Sequence, residues 1–140
     1  MVNVNTSMSL SDRLEILDLY ARYTHCIDSG KIDAWCECFI PSGSLEIPSR
    51  STATRGRSEL EAFALSHVQK VQGREKHVTT NISLESAGDG RAHGRAYLMM
   101  VVGDRDSAHI RALGEYEDEL VFTESGWLFE KRVLGFRSSE

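Results

Sequence analysis

The apolar residues of this chain change their spacing near residue 75, and that change limits the folds open to it. Upstream they recur at helical intervals; downstream they alternate. Leu10, Leu14, Leu17, Ala21 and Thr24, flanked by Ile16, Tyr20, Tyr23 and Ile27, predict a helix from about Ser11 to Ser29. Ser9 with Asp12 is its capping signal and Gly30 its stop. Asp33 can cap a short second helix reaching Phe39, which Pro41, Ser42 and Gly43 end. Ser44–Ile47 reads as a short strand and Pro48–Gly56 as a polar loop. Ser58 and Glu61 form a capping-box pattern for a third helix carrying Leu60, Phe63, Ala64, His67, Val68 and Val71, closed by Gly73.

From Lys76 to Ser86 the chain alternates, with Val78, Thr80, Ile82 and Leu84 on one side and His77, Thr79, Asn81 and Ser83 on the other. Gly88-Asp89-Gly90 is a hairpin turn signal, and Ser125-Gly126 is a second turn. Between and beyond them, Arg91–Val102, Ala108–Thr123 and Trp127–Phe136 read as long strands. Helices followed by an antiparallel meander make an α+β pattern rather than a parallel βαβ sheet. Such a sheet must hide one face, and three amphipathic helices can cover it. Ile110, Ala112, Gly114, Tyr116, Leu120 and Phe122 are expected to share the enclosed side with Asp118; Ala112 and Gly114 leave room there for a ligand or for a bend.

A length of 140 residues fits one domain, expected over residues 9–140 behind a loose tail at residues 1–8. The net charge of -5 and the lack of a basic run argue against nucleic acid as the main partner. The longest uncharged stretch, Met1–Ser11, is polar, so no membrane span is expected, and without a leader pattern the expected location is cytoplasmic. Cys26, Cys36 and Cys38 lack zinc spacing and are expected to be small buried apolar residues. His25, His67, His93 and His109 show no ligand spacing, so neither metal nor cofactor is expected.

Seven stretches, in this order, resemble the SnoaL-like branch of the NTF2-like superfamily over roughly residues 10–135: Ile16 to Tyr23, Asp28 to Trp35, Phe39 to Gly43, Arg55-Gly56, His77 to Asn81, Gly114 to Asp118, and Gly126 to Arg132. The resemblance implies a cone of strongly curved, mostly antiparallel sheet, with three N-terminal helices over its concave face. The branch includes scytalone dehydratase and hexachlorocyclohexane dehydrochlorinase. Both carry an aspartate at the end of helix one and a histidine on the first long strand, positions held here by Asp28 and His77. Arg132 matches an active-site arginine of the dehydrochlorinase. Ile27 stands where the first enzyme has a tyrosine and Tyr23 where the second has a lysine, so the substrate-polarising groups of neither are carried over.

The expected chemistry follows from the pair. A neutral imidazole removes a proton near neutral pH if one nitrogen is free and the other is fixed as a donor. Asp28 would set that tautomer and stabilise the imidazolium. His77 is thus the expected base. Arg132 either anchors an anion or pairs with Asp118 or Glu130. Tyr23, Tyr116, Asn81 and Asp118 are the expected substrate-binding residues. The leading expectation is a cofactor-independent lyase or isomerase acting on a small, mostly apolar cyclic substrate. The alternatives are a non-catalytic binding or oligomerisation module, and a polyketide cyclase or epoxide hydrolase using Asp118 and Arg132. An apolar outer sheet face (Met99, Met100, Val101, Val102) suggests a homodimer or homotrimer.

Overall fold

A computed structural model describes residues 8–136. The expected tail therefore lies outside the described residues except for Met8, which packs against the core. The elements run α1 (Leu10–Asp28), α2 (Ile32–Cys36), β1 (Phe39–Ile47), a 3-10 turn (Pro48–Arg50), β2 (Thr52–Arg55), α3 (Gly56–Val71), β3 (Glu75–Ser86), β4 (Arg91–Asp104), β5 (Ser107–Thr123) and β6 (Gly126–Phe136). The six strands form one open sheet in the order β2-β1-β6-β5-β4-β3. Every pairing is antiparallel except β1 with β6. The α+β class and the mostly antiparallel sheet are as the sequence predicts, but the strand expected at Ser44–Ile47 begins at Phe39, and a further short strand, β2, precedes the third helix. None of the described helices is long and apolar enough to cross a membrane.

α1 begins where its cap allows. Ser9 Oγ accepts the Asp12 N–H at 3.0 Å, and Asp12 returns a carboxylate oxygen to the Ser9 N–H. Its buried stripe is Ile16, Leu19, Tyr20, Tyr23, Cys26 and Ile27. Of the apolar residues whose spacing marks this helix, the leucines lie outside: Leu10 is 73% exposed and Leu14 59%. The stripe that wins carries the aromatic rings, which fill more of the interior and bring a phenol to a buried carboxylate.

Other expectations shift for local reasons. α2 stops at Cys36, and Phe39 already pairs with Phe129 in the sheet; residues 40–43 bulge before Ser44 rejoins β6 opposite Lys131. β2 falls inside the expected loop, paired with Ser44–Ile47. It is a four-residue polar edge strand with no alternation to read, tied to β1 by an Arg55–Glu46 ion pair at 3.2 Å. α3 starts at Gly56, and the Ser58–Glu61 box does not form; instead Glu59 accepts the Arg55 N–H at 2.9 Å.

Bulges break two expected faces. Asn81 sits at φ 56° inside β3, between paired residues Thr80 and Ser83. His77 and Thr79 point inward before it, Ile82 and Leu84 after it, and Val78 is left exposed. A register shift opposite Met100 and Val101 turns Ile110 out at 54% exposure, while Ala112, Gly114, Tyr116, Asp118 and Leu120 stay on the inner side. Phe122 is exposed as well, its ring 5.7 Å from that of Trp127.

Gly94 lies opposite Asp118 in the β4–β5 register. A Cβ there would collide with the Tyr20 hydroxyl and press on Leu84 at 3.3 Å. Gly94→Ala is expected to lose about 1–3 kcal/mol of stability. Gly135, whose Cβ would meet nothing within 4 Å, serves as the control, with Gly135→Ala changing stability by less than about 0.5 kcal/mol. Urea midpoints of the two variants check the contrast.

Candidate functional site

Asp28 is the last residue of α1 and His77 the third residue of β3, the edge strand against which α1 rests. The His77 ring nitrogen Nδ1 lies 2.7 Å from Asp28 Oδ1, and the His77 main-chain N–H donates to Asp28 Oδ2 at 3.0 Å. Both carboxylate oxygens are thus spent on one residue. Each side chain is 11% exposed. A carboxylate at a helix C-terminus meets the negative end of the helix dipole, and these two donors offset that cost. With Nδ1 donating to the acid, Nε2 keeps its lone pair, the tautomer a base requires.

His77 lines an internal cavity with Ile27, Tyr23, Trp35, Phe63, Met100 and Phe136. Its free volume is about 50 Å³, room for roughly one or two waters. A ring-sized ligand requires side chains at the rim to move. Of the residues expected to bind substrate, Tyr23 and Tyr116 do line the cavity. Burial raises the pKa of both phenols, that of Tyr23 well above the ordinary value, so both stay protonated hydrogen-bond donors. Asn81 is exposed at the β3 bulge and does not line the cavity. Met100, expected on the outer face, also points in.

Arg132 and Asp118 hold a different place. They face each other across β5 and β6, with Arg132 Nε 2.8 Å from Asp118 Oδ1 and a terminal guanidinium nitrogen 3.0 Å from Oδ2. Tyr20 donates its hydroxyl to the same Oδ2 at 2.5 Å. The guanidinium carbon is 3.6 Å from the Tyr116 ring centroid, 4.1 Å from Phe129 and 4.4 Å from Tyr23. Arg132 is fully buried. Burial is the largest single influence and lowers its pKa; the Asp118 carboxylate together with Tyr116 and Tyr23 outweighs it and holds the guanidinium above the ordinary value. Of the two roles open to Arg132, anchoring an anion or pairing with a carboxylate, the structure has the pair with Asp118, and neither residue lines the cavity. Glu130, the other partner considered for it, pairs with Arg91 at 2.6 Å.

Four cavity residues were missed in the sequence. His67 of α3 holds its ring centroid 5.2 Å from that of His77 with the planes tilted by 49°, and its buried Nε2 has no protein partner. Trp35 Nε1 is buried without a protein partner too, although Trp35 was expected only to pack. Arg50 and Arg111 also line the cavity. The available signal was for His67: an imidazole one helical turn from Phe63, inside an otherwise apolar stripe. The three cysteines are free and buried, and burial pushes the Cys38 thiol up to about 12, which keeps it protonated. Among the described residues no three His, Cys, Asp or Glu side chains converge as metal ligands.

A SnoaL-like domain model matches residues 8–133. Among solved structures, Rv3472 of Mycobacterium tuberculosis, a protein of unknown function, is 29% identical with a TM-score of 0.83, covering 92% of this chain and 78% of its own. An NTF2-like protein with a cystatin-like fold from Novosphingobium aromaticivorans is 19% identical with a TM-score of 0.84, covering 94% of this chain and 85% of its own. A candidate scytalone dehydratase from the same organism is 17% identical with a TM-score of 0.79, covering 92% and 86%. No curated protein matches the chain in sequence.

Removing one half of the buried pair isolates a charge. Arg132→Leu is expected to cost about 3–5 kcal/mol in urea unfolding, and Arg132→Leu with Asp118→Leu to recover much of that loss. His67 titrates below its ordinary value because it is buried and faces His77. Below about pH 6.5 the unfolded chain takes up that proton and the folded chain resists it, so stability declines as pH falls through this range. Melting temperatures between about pH 7 and pH 5 should therefore fall less steeply in His67→Gln than in the parent protein.

Proposed function

The chain belongs to the SnoaL-like domain family, and from that premise we propose that it is a cofactor-independent lyase or isomerase acting on a small, mostly apolar cyclic substrate. The observation that carries this reading is the contact between Asp28 and His77 at the wall of an internal cavity. In a dehydration, His77 Nε2 removes a proton from the carbon next to one bearing a hydroxyl. The C–H electron pair forms the double bond, and the C–O bond breaks. The proton passes from Nε2 to the departing oxygen, which leaves as water, so the base is restored without any further reagent. Asp28 stabilises the transient imidazolium. Tyr23 and Tyr116, held as neutral phenols by burial, can polarise a substrate carbonyl and acidify the neighbouring C–H. In an isomerisation the same proton returns to another carbon.

His77→Ala and Asp28→Asn should each lower turnover by about 10²–10⁴-fold with circular dichroism and melting temperature little changed. A panel of cyclic hydroxyketones, enones and epoxides, followed by mass spectrometry, selects the reaction. Turnover undiminished in either variant removes the mechanism, and epoxide opening as the best activity moves the reading to hydrolysis.

The small free volume favours a second reading, a non-catalytic module. Val78, Met99 and Leu113 lie side by side across β3, β4 and β5 with Tyr97 beside them, and Tyr97 and Leu113 are about half exposed. This row is the proposed contact between copies in a dimer or trimer. Light scattering should give an oligomer for the parent protein and a monomer for Leu113→Glu. An oligomer without turnover on the panel favours the module.

A further inference from the structure

The cavity is apolar along its walls and cationic at its rim. Arg50, from the 3-10 turn after β1, and Arg111, from β5, both line it, and both are exposed. No described Asp or Glu lines it. Arg111 shares its charge with Glu75 at 2.9 Å. Arg50 has no acidic partner among the described residues. Its guanidinium carbon rests 5.0 Å from the centroid of the Phe136 ring, the last described residue of β6. Stacking on a ring face leaves the N–H edge of a guanidinium free, and that edge matches a carboxylate in two parallel hydrogen bonds. A ligand that closes the rim without a counter-charge would strip water from Arg50 and return nothing.

We infer that the substrate of this site carries a carboxylate on its cyclic body, docked at the rim by Arg50 with Arg111 alongside. The inference rests on reading the cavity as a substrate site. It sets an orientation: the anion stays at the solvent edge, and the ring enters past Phe63 and Phe136 toward His77. It also sets a selection against neutral cyclic compounds of the same shape. The two rim arginines give an anion a local attraction that the net charge of -5 does not.

Benzoate and benzamide have the same ring and nearly the same shape but differ in charge. Each is titrated into the full chain at about pH 8, where imidazoles are neutral, with amide NMR shifts as readout. Benzoate should bind at least about tenfold more tightly than benzamide. Arg50→Gln should bring the two within about twofold while benzamide affinity stays the same, because Arg50 is exposed and its replacement leaves the core intact. His77→Ala should retain the benzoate preference, since the carboxylate sits at the rim. Equal affinities, no benzoate binding, a preference that survives Arg50→Gln, or one lost in His77→Ala each overturn the inference. A carboxylate preference without turnover of any compound sinks the catalytic proposal and leaves this one standing. Turnover of neutral rings without that preference does the reverse.

Discussion

The arrangement hangs on one buried ion pair. Arg132 and Asp118 meet across neighbouring strands with two hydrogen bonds, and Tyr20 reaches down from α1 to the same carboxylate. A buried pair of this kind contributes little net stability compared with an apolar substitute, yet it is intolerant of losing one member. What it provides is position. Tyr20 fixes α1 over the middle of the sheet, and the rings of Tyr116, Tyr23 and Phe129 pack on the guanidinium. Gly94 keeps the approach open by having no side chain where the phenol arrives.

With α1 held there, its last residue comes to the edge strand β3. The helix crosses from the ion pair at its middle to Asp28 at its end, so one rigid element serves two polar centres with different duties. The first is sealed among aromatic rings. The second borders the cavity, with polar atoms of His67 and Trp35 near it that have no protein partner. In the proposed mechanism the tyrosines between the two centres act on both sides: their faces pack on Arg132, while burial keeps their hydroxyls protonated at the cavity wall.

Much of this was legible in the sequence because it depends on spacing. The switch from helical to alternating periodicity marks the α+β class, and the strand ends fall close to their turn signals at Gly88–Gly90 and Ser125–Gly126. The Asp28 and His77 positions were legible through resemblance. What was hidden depends on bulges and on competition between faces. Nothing in the alternation of Val78, Thr80 and Ile82 says that Asn81 adopts a left-handed conformation and reverses the inner side. The leucine stripe of α1 is as periodic as the buried one, and only the tertiary partner of Tyr20 decides between them. Arg132 offered two plausible roles, and its strand-to-strand register with Asp118 selects the structural one. β2 has no apolar pattern because it is a short polar edge.

Asp28 accepts both the ring and the main-chain hydrogen of His77, so the imidazole's angle is slaved to how the helix docks on the strand. A chain whose sheet had formed while α1 remained detached would own every residue of the pair and still hold its histidine in free rotation. Readiness at this wall is therefore a property of completed assembly, acquired only when α1 is docked on β3, and any disturbance that tilts that helix is transmitted to the imidazole without touching it.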